Sequence, residues 1–146
     1  MSDKVEKITA STIGRQTVGY SKDHKIIIDE PPSMGGNDEG PNPLGALLIS
    51  LAGCENVIAN MVAKEIDFDL QEISFEVTGE LDLDGMMGKA DVRPYFQKVT
   101  INAKVKTDET EDRIDELQKI VDSRCPIFTA LEAADIEMIP NWVKEP

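Results

Sequence analysis

The 146-residue sequence has few of the residues that bind metals, nucleic acids or anionic membranes. It contains one histidine, two cysteines, and 15 Lys and Arg against 28 Asp and Glu, so its net charge is −13. Phosphate binding needs clustered Lys and Arg, which argues against nucleic acid and membrane surfaces as partners. Zinc sites favour four ligands with closely spaced Cys or His pairs, so we expect neither a metal nor another cofactor.

The sequence also lacks the usual signs of export. Residues 1–7 are charged and include no apolar core of a secretory signal. We find no apolar run that approaches the ~18 residues typical of a membrane helix. The length is enough for one domain to bury a core of its own. We therefore expect a single soluble domain over residues 1–146, located in the cytoplasm.

Hydrophobic periodicity predicts an α+β fold. Short β-compatible segments come first and are expected to form an antiparallel meander of three strands. A loop rich in Pro and Gly then precedes a long apolar helix. Two long strands, a second helix, a short helix and a last strand follow. The predicted ranges are 5–12, 17–20 and 25–29 for the first strands, 30–43 for the loop, and 68–82 and 96–106 for the long strands. The second helix is predicted to begin at 107 and to be ended by Cys125-Pro126, and the short helix and the last strand are predicted at 126–132 and 136–139.

The long helix is predicted to begin at Pro43, because Asn42 is a good N-cap and Pro suits the first helical position. Its apolar residues recur at three- and four-residue steps, from Leu44 to Val62, and small residues interrupt them. Small residues let other backbones approach closely. We therefore expect a central helix that is nearly surrounded.

The two cysteines are the main candidates for chemistry. In a reducing compartment a structural disulfide is disfavoured, which leaves a redox pair, a catalytic thiol, a metal site or plain core packing. Cys54 lies on the apolar stripe of the long helix and is, by position, an ordinary core residue. Cys125 directly precedes Pro126, so it should lie near a helix N-cap. There the helix dipole would lower the pKa of Cys125.

An ordered set of short motifs resembles the OsmC/Ohr family. The motifs, in chain order, are Asp29-Glu30-Pro31, Gly35-Gly36, Gly40-Pro41-Asn42-Pro43, Leu51-Ala52-Gly53-Cys54 and Cys125-Pro126-Ile127. The resemblance covers nearly the whole chain. It implies an α+β fold in which two chains intertwine as a homodimer with active sites at the subunit interface. It also implies a thiol-dependent peroxidase that reduces organic hydroperoxides in oxidative-stress defence.

Carried over to this sequence, the resemblance implies a role for three residues. Cys54 resembles the peroxidatic cysteine and Cys125 the resolving cysteine, with an external dithiol to reduce the pair. Gly14-Arg15 resembles the setting of an arginine that activates the thiolate and the peroxide, so Arg15 is the candidate.

The sequence departs from the family pattern at Leu44, which follows Asn42-Pro43 where peroxidases of the family usually have a glutamate that pairs with the arginine. Glu55 follows Cys54, but successive helical residues point about 100° apart, so it is expected to reach the site only from the side. The acidic residues that could replace the missing carboxylate are Glu30, Asp38, Glu39 and Glu55. Two other functions therefore stay open, which are binding of a small hydrophobic or thiol-bearing ligand and redox sensing.

Overall fold

In the computed structural model, which describes residues 2–146, the chain has an α+β fold with two three-stranded sheets. Its contacts divide it into two compact units, Met1–Leu47 and Leu48–Pro146. The elements are β1 Thr9–Ile13, β2 Gln16–Ser21, β3 His24–Ile28, a 3-10 turn Pro32–Met34, α1 Pro43–Glu65, β4 Glu72–Glu80, α2 Leu83–Met86, β5 Lys98–Lys106, α3 Glu111–Arg124, α4 Pro126–Ala133 and β6 Glu137–Lys144.

The first unit contains the predicted antiparallel meander, in the order β1-β2-β3. Gly14 has a φ of 59° in the first turn, a conformation that glycine adopts without steric cost. The second turn joins Ser21 and His24, which pair with each other at the ends of β2 and β3. The prediction of three strands is confirmed, although β1 begins at Thr9, later than residue 5.

One buried carboxylate organises the long loop that follows β3. Asp29 is fully buried and accepts hydrogen bonds from the backbone N–H of Glu30 at 2.7 Å, Asn37 at 3.4 Å and Glu39 at 3.2 Å. The side-chain amide of Gln16 donates a fourth bond at 3.2 Å. These bonds, that from Glu30 first, hold the pKa of Asp29 below its ordinary value.

Glycine is required at two places in this loop because other backbone atoms approach closely. A Cβ at Gly36 would lie 2.0 Å from the carbonyl oxygen of Glu30, and one at Gly40 would lie 2.2 Å from that of Ile27. Neither distance is compatible with a side chain. The Gly-Gly and Gly-Pro motifs of the sequence therefore allow the loop to fold against β3.

Helix α1 begins as predicted, since the Asn42 side chain accepts a 2.7 Å hydrogen bond from the N–H of Gly45. The expectation that α1 is nearly surrounded is wrong for the single chain. Its buried residues, Leu51, Glu55, Ala59, Val62 and Ala63, occupy one side. On the other side Ile49, Val57 and Met61 are 64%, 57% and 47% exposed.

Helix α1 is also long and apolar enough to cross a membrane by length and composition, and 28% of its apolar stretch is buried within the described chain. The expectation that no segment approaches membrane length is therefore wrong by this criterion. Polar residues such as Asn56 interrupt the apolar run but do not lower its average enough. Core helices of soluble proteins meet the same criterion, so this property alone does not indicate a membrane protein.

The second unit contains the sheet β4-β5-β6, in which β4 and β5 are antiparallel and β5 and β6 are parallel. Parallel neighbours need a crossover, and α3 and α4 supply it. The core residues of this unit are Ala59, Val62, Ala63, Phe68, Ala103, Val105, Ile114, Leu117, Val121 and Trp142. The last strand is longer than residues 136–139 because Pro140 lies within β6, an edge strand, where proline is tolerated.

Candidate functional site

The structure brings the two cysteines together. Cys54 lies on α1 and is half-buried, while Cys125 lies between α3 and α4 and is fully buried. Both are free thiols, and the Cys125 Sγ lies 3.1 Å from the Cys54 Sγ, with Cys125 as the hydrogen-bond donor. The two sulfurs, 71 positions apart in sequence, are therefore in direct contact. Within residues 2–146 no group of three or more His, Cys, Asp or Glu side chains could hold a metal ion.

Two helix ends position Cys125. Its backbone N–H donates to the carbonyl of Val121 at 2.9 Å and completes the last turn of α3. Its Sγ accepts a bond from the N–H of Phe128 at 3.4 Å and so caps the first turn of α4, where Pro126 is the first residue. The predicted N-cap position is confirmed.

The expected low pKa of the capping thiol is wrong. Burial, and then the hydrogen bond to Cys54, raise the pKa of Cys125 to about 12, whereas the N–H of Phe128 opposes the shift and is outweighed. A helix N-terminus favours a thiolate, but removing the sulfur from water disfavours the charge more strongly. Cys125 is therefore a neutral thiol at neutral pH and needs a base before it can act as a nucleophile.

Two sets of contacts connect α3 to the C-terminal end of α1 and the residue that follows it. Arg124, next to Cys125, makes a bidentate ion pair with Glu65 at the end of α1, with N–O distances of 2.6 and 3.1 Å. Arg113 of α3 donates to the carbonyl of Ile66 at 2.8 Å. These bonds connect the C-terminal end of α1 to α3, which precedes Cys125.

A buried pair of acidic groups, Glu55 and Asp122, interacts with the cysteines. Glu55 is 0% exposed, and neither of its carboxylate oxygens accepts a bond from an N–H or O–H donor within residues 2–146. The ionisable groups that act on it are Asp122, Cys125 and Cys54. Glu55 is thus buried, unlike the half-buried Cys54 beside it in sequence, and its approach to the site from the side stays a prediction.

The protonation of each carboxyl group affects that of the other. Burial, and then the hydrogen bond and charge of Asp122, raise the pKa of Glu55 to about 9. Burial also raises the pKa of Asp122, whereas hydrogen bonds from Glu55 and Gln118 oppose that shift. Two carboxylates in contact cannot both be ionised in a dry site. Glu55 is therefore the protonated partner at neutral pH and donates to Asp122, which also accepts from Gln118.

Sequence reasoning did not identify Asp122. The available signals were weak, since Asp122 is the fourth residue after Gln118, and it lies next to the apolar stripe of α3 that ends at Val121. Polar pairs at this spacing are common on exposed helix surfaces. Only the packing of α3 against α1 distinguishes Asp122 from a surface residue.

Arg15 lies in the first unit, in the turn between β1 and β2, and is exposed. It lies beside Gly35, where a Cβ would be 3.4 Å from the Arg15 Nε. No carboxylate among residues 2–146 forms an ion pair with it. The loop residues proposed as replacements for the missing glutamate, Glu30, Asp38 and Glu39, are therefore not paired with Arg15 in the described chain.

Comparison with known proteins identifies a matching protein family and a related hydroperoxide reductase. A family model described as OsmC-like protein matches residues 35–139. A hydroperoxide reductase of Mycoplasma pneumoniae is 27% identical over 114 residues, which cover 77% of this chain and 75% of that protein.

Solved structures match the fold over almost the full length. A crystal structure of an OsmC-like protein from Mycoplasma pneumoniae has a TM-score of 0.86 at 24% identity and covers 99% of this chain and 100% of its own. An organic hydroperoxide resistance protein OsmC from Legionella pneumophila has a TM-score of 0.73 at 17% identity and covers 100% of both chains. These similarities show that the α+β fold is shared.

Proposed function

Because this chain belongs to the OsmC-like protein family, we propose that it is a thiol-dependent peroxidase that reduces organic hydroperoxides in defence against oxidative stress. Cys54 is the peroxidatic residue and Cys125 the resolving residue. The observation that supports this most directly is the 3.1 Å contact between their sulfurs. The hydroperoxide reductase activity named for the Mycoplasma pneumoniae relative agrees with it.

In the first step the Cys54 thiolate attacks the distal oxygen of the hydroperoxide. The S–O bond forms as the O–O bond breaks, and the departing alkoxide takes up a proton and leaves as an alcohol. Cys54 suits this step better than Cys125, because its sulfur is half-buried and can be reached by substrate, while the Cys125 sulfur is enclosed.

In the second step Cys125 attacks the sulfenic acid on Cys54. The S–S bond forms, the S–O bond breaks and water is released. An external dithiol then reduces the disulfide. Two sulfurs in contact need only a small movement to reach the ~2.05 Å length of a disulfide bond.

The exposed side of α1 suits both an apolar substrate and a second subunit. Cys54, Val57 and Met61 are spaced three and four residues apart and so share one helical face. Val57 and Met61 are both exposed. Exposed apolar side chains around a reactive thiol favour an organic over a small polar peroxide. The same face supports the homodimer in which partner residues cover part of α1.

Three further parts of the proposal follow from the family resemblance. Arg15 activates the thiolate and the peroxide in the assembled protein. Residues 1–146 form one OsmC-like domain, of which the family match at residues 35–139 includes parts of both compact units. The protein acts in the cytoplasm, where an external dithiol is available.

Peroxidase turnover is tested by following the loss of cumene hydroperoxide in the presence of a dithiol. We expect wild-type protein to turn over, Cys54→Ser to be inactive, and Cys125→Ser to be oxidised once and to accumulate the sulfenic acid. Mass spectrometry after one equivalent of peroxide should show a Cys54–Cys125 disulfide. Equal rates for wild type and Cys54→Ser would overturn the proposal.

A second candidate function is binding of a small apolar or thiol-bearing ligand without turnover. It is favoured by Leu44 at the position of the usual glutamate and by the lack of an ion pair to Arg15 within residues 2–146. A native mass spectrum that retains such a ligand, with no peroxide loss above that of Cys54→Ser, would support it. The variant Leu44→Glu restores the carboxylate at this position. If it turns over peroxide no faster than wild type, the missing glutamate is not the reason for weak activity.

A further inference from the structure

The Glu55–Asp122 pair has features that core packing alone does not explain. A carboxyl group removed from water is costly unless it is hydrogen-bonded, and the chain places two of them together in a position that an apolar pair could fill. Both oxygens of Glu55 are without N–H or O–H donors among residues 2–146, and the side chain is fully buried. Its neighbours include the Cys125 thiol.

The pair also extends from the sulfurs to the protein surface. Asp122 lines a cavity of about 290 Å³, together with Gln118, Lys119 and Glu132. Glu55 interacts with both Asp122 and Cys125, and Asp122 in turn lines the cavity, so the two carboxyl groups connect the thiol to the cavity. The charged or titratable groups that face the pair are Cys54 and Cys125 on the Glu55 side and Glu132 on the Asp122 side.

We propose that Glu55 and Asp122 form a proton relay that activates the Cys125 thiol for attack on the sulfenic acid of Cys54. This inference rests on the proposed peroxidase function and names the base for its second step. The Cys125 thiol acts on the Glu55 carboxyl as a hydrogen-bonding neighbour, so Glu55 is assigned as the catalytic residue of this step. Asp122 acts through Glu55 and is a positioning residue.

The relay conserves atoms and charge. The free oxygen of Glu55 accepts the proton of the Cys125 S–H while its hydroxyl proton passes to the Asp122 carboxylate. The Cys125 thiolate then attacks the Cys54 sulfur, the S–S bond forms, and hydroxide leaves as the S–O bond breaks. Hydroxide takes a proton from solvent, and Asp122 returns its proton to solvent through the cavity. The net products are a disulfide and one water.

This role explains why a resolving thiol can be so strongly buried. Burial raises the pKa of Cys125 to about 12, so spontaneous ionisation at neutral pH would be rare. A carboxylic acid can accept and donate a proton at the same time, so Glu55 can serve the thiol without ever becoming a free buried anion.

The experiment follows the two chemical steps separately. Reduced protein is mixed with one equivalent of cumene hydroperoxide, and the sulfenic acid (trapped with dimedone) and the disulfide are measured by mass spectrometry over time. In Glu55→Gln and Asp122→Asn we expect sulfenic acid formation at the wild-type rate and disulfide formation slowed roughly 100-fold, within the usual range for general acid–base catalysis. Asp115→Asn, an exposed carboxylate on α3, is the matched control and should behave like wild type.

A pH profile separates a proton relay from a packing effect. In Glu55→Gln the disulfide-forming rate should rise about tenfold per pH unit between about pH 6 and 8, since the thiol must then ionise unaided. In wild type it should change far less over that range. Variants with the wild-type rate and the wild-type pH profile would overturn the relay, and wild-type Cys54 that is never oxidised would instead overturn the proposed function.

A spectroscopic measurement tests the relay without peroxide and without relying on the folding of a variant. Wild-type protein is oxidised with oxidised dithiothreitol, and the infrared difference between the dithiol and disulfide forms is recorded. We expect a protonated-carboxyl C=O band that shifts on oxidation, because the Cys125 thiol next to Glu55 is consumed. A difference spectrum with no change in that band would overturn the inference. In Asp122→Asn the band should differ from that of wild type, because Asp122 interacts with the carboxyl proton of Glu55.

Discussion

Among the described residues, each compact unit contains one acidic side chain with no exposed surface. The pKa values of these two carboxyl groups are shifted in opposite directions. Asp29 in the first unit accepts three backbone N–H bonds and one amide bond, and its pKa is lowered. Glu55 in the second unit has no such donors, and its pKa is raised to about 9. Both side chains are shielded from solvent, but hydrogen-bond donors outweigh burial at Asp29, whereas burial and the neighbouring Asp122 prevail at Glu55.

The comparison also separates a structural from a chemical use of a buried acid. The ionised Asp29 holds a loop in one conformation, and its donors come from that same loop. The neutral Glu55 is instead influenced by a thiol and a second carboxyl, which in the proposed relay exchange protons with it. A buried group whose surroundings leave its proton mobile is a better candidate for chemistry than one whose charge is fully satisfied.

The largest expected effect comes from filling the space around Asp29. In Gly36→Ala the new Cβ would lie 2.0 Å from the Glu30 carbonyl and 2.6 Å from the Asp29 carboxylate, so the loop must shift and the N–H donors must separate from the acid. We expect a loss of about 3 kcal/mol in the free energy of unfolding, measured by urea denaturation. Gly19→Ala, whose Cβ would meet only ordinary contacts, is the control and should be near neutral.

Neutral isosteres of the two acids should change stability in opposite directions. Glu55→Gln removes the cost of holding an acid protonated above its ordinary pKa, and we expect it to add about 2 kcal/mol to the free energy of unfolding at pH 8 and much less at pH 5. Asp29→Asn loses acceptor capacity towards N–H donors and should destabilise at both pH values. Urea titrations of both reduced proteins provide the measurement, and the same sign for both would contradict the comparison.

The stability of the reduced wild type should depend on pH with a predictable sign. Between pH 4.5 and about 9 folded Glu55 keeps a proton that the unfolded chain releases, so stability falls as pH rises, by up to about 1.4 kcal/mol per pH unit. Asp29 acts oppositely, since its contribution is present above its ordinary pKa of 3.8 and is lost as pH falls below that value. In Glu55→Gln the decline above pH 4.5 should become shallower, and an unchanged slope would show that another group causes it.

The smallest expected effect is at an exposed acid on the same helix as Glu55. Glu65 pairs with Arg124, but both side chains are largely in contact with water, where ion pairs contribute little. Glu65→Gln should leave the urea midpoint and its pH dependence within error of wild type. A shift as large as that of Glu55→Gln would mean that helix charge, and not burial, governs the α1 carboxylates.

Local sequence patterns were sufficient for most of the fold. The N-cap at Asn42, the alternation of β5 and the Cys125-Pro126 helix junction depend on neighbouring residues, and the structure confirms them. The ends of elements were less predictable, as for β6, whose continuation through Pro140 depends on its edge position next to β5.

The candidate site was predictable in part. The two cysteines were identified, but their contact depends on the packing of α1 against the junction of α3 and α4. The pKa shift of Cys125 was predicted in the wrong direction. A helix N-cap can be identified from sequence, whereas the depth of burial cannot. Asp122 was missed for the same reason.

By itself, the sequence determined the order of helices and strands, identified the two candidate thiols and indicated the family of the chain. These properties depend on residue type and short-range spacing. Only the tertiary structure decided which acids are buried, that Glu55 faces Asp122 and Cys125, and that the sulfurs meet at 3.1 Å. Burial and charge coupling arise between residues distant in the chain. The protonation state of each acid therefore follows from packing and not from local sequence.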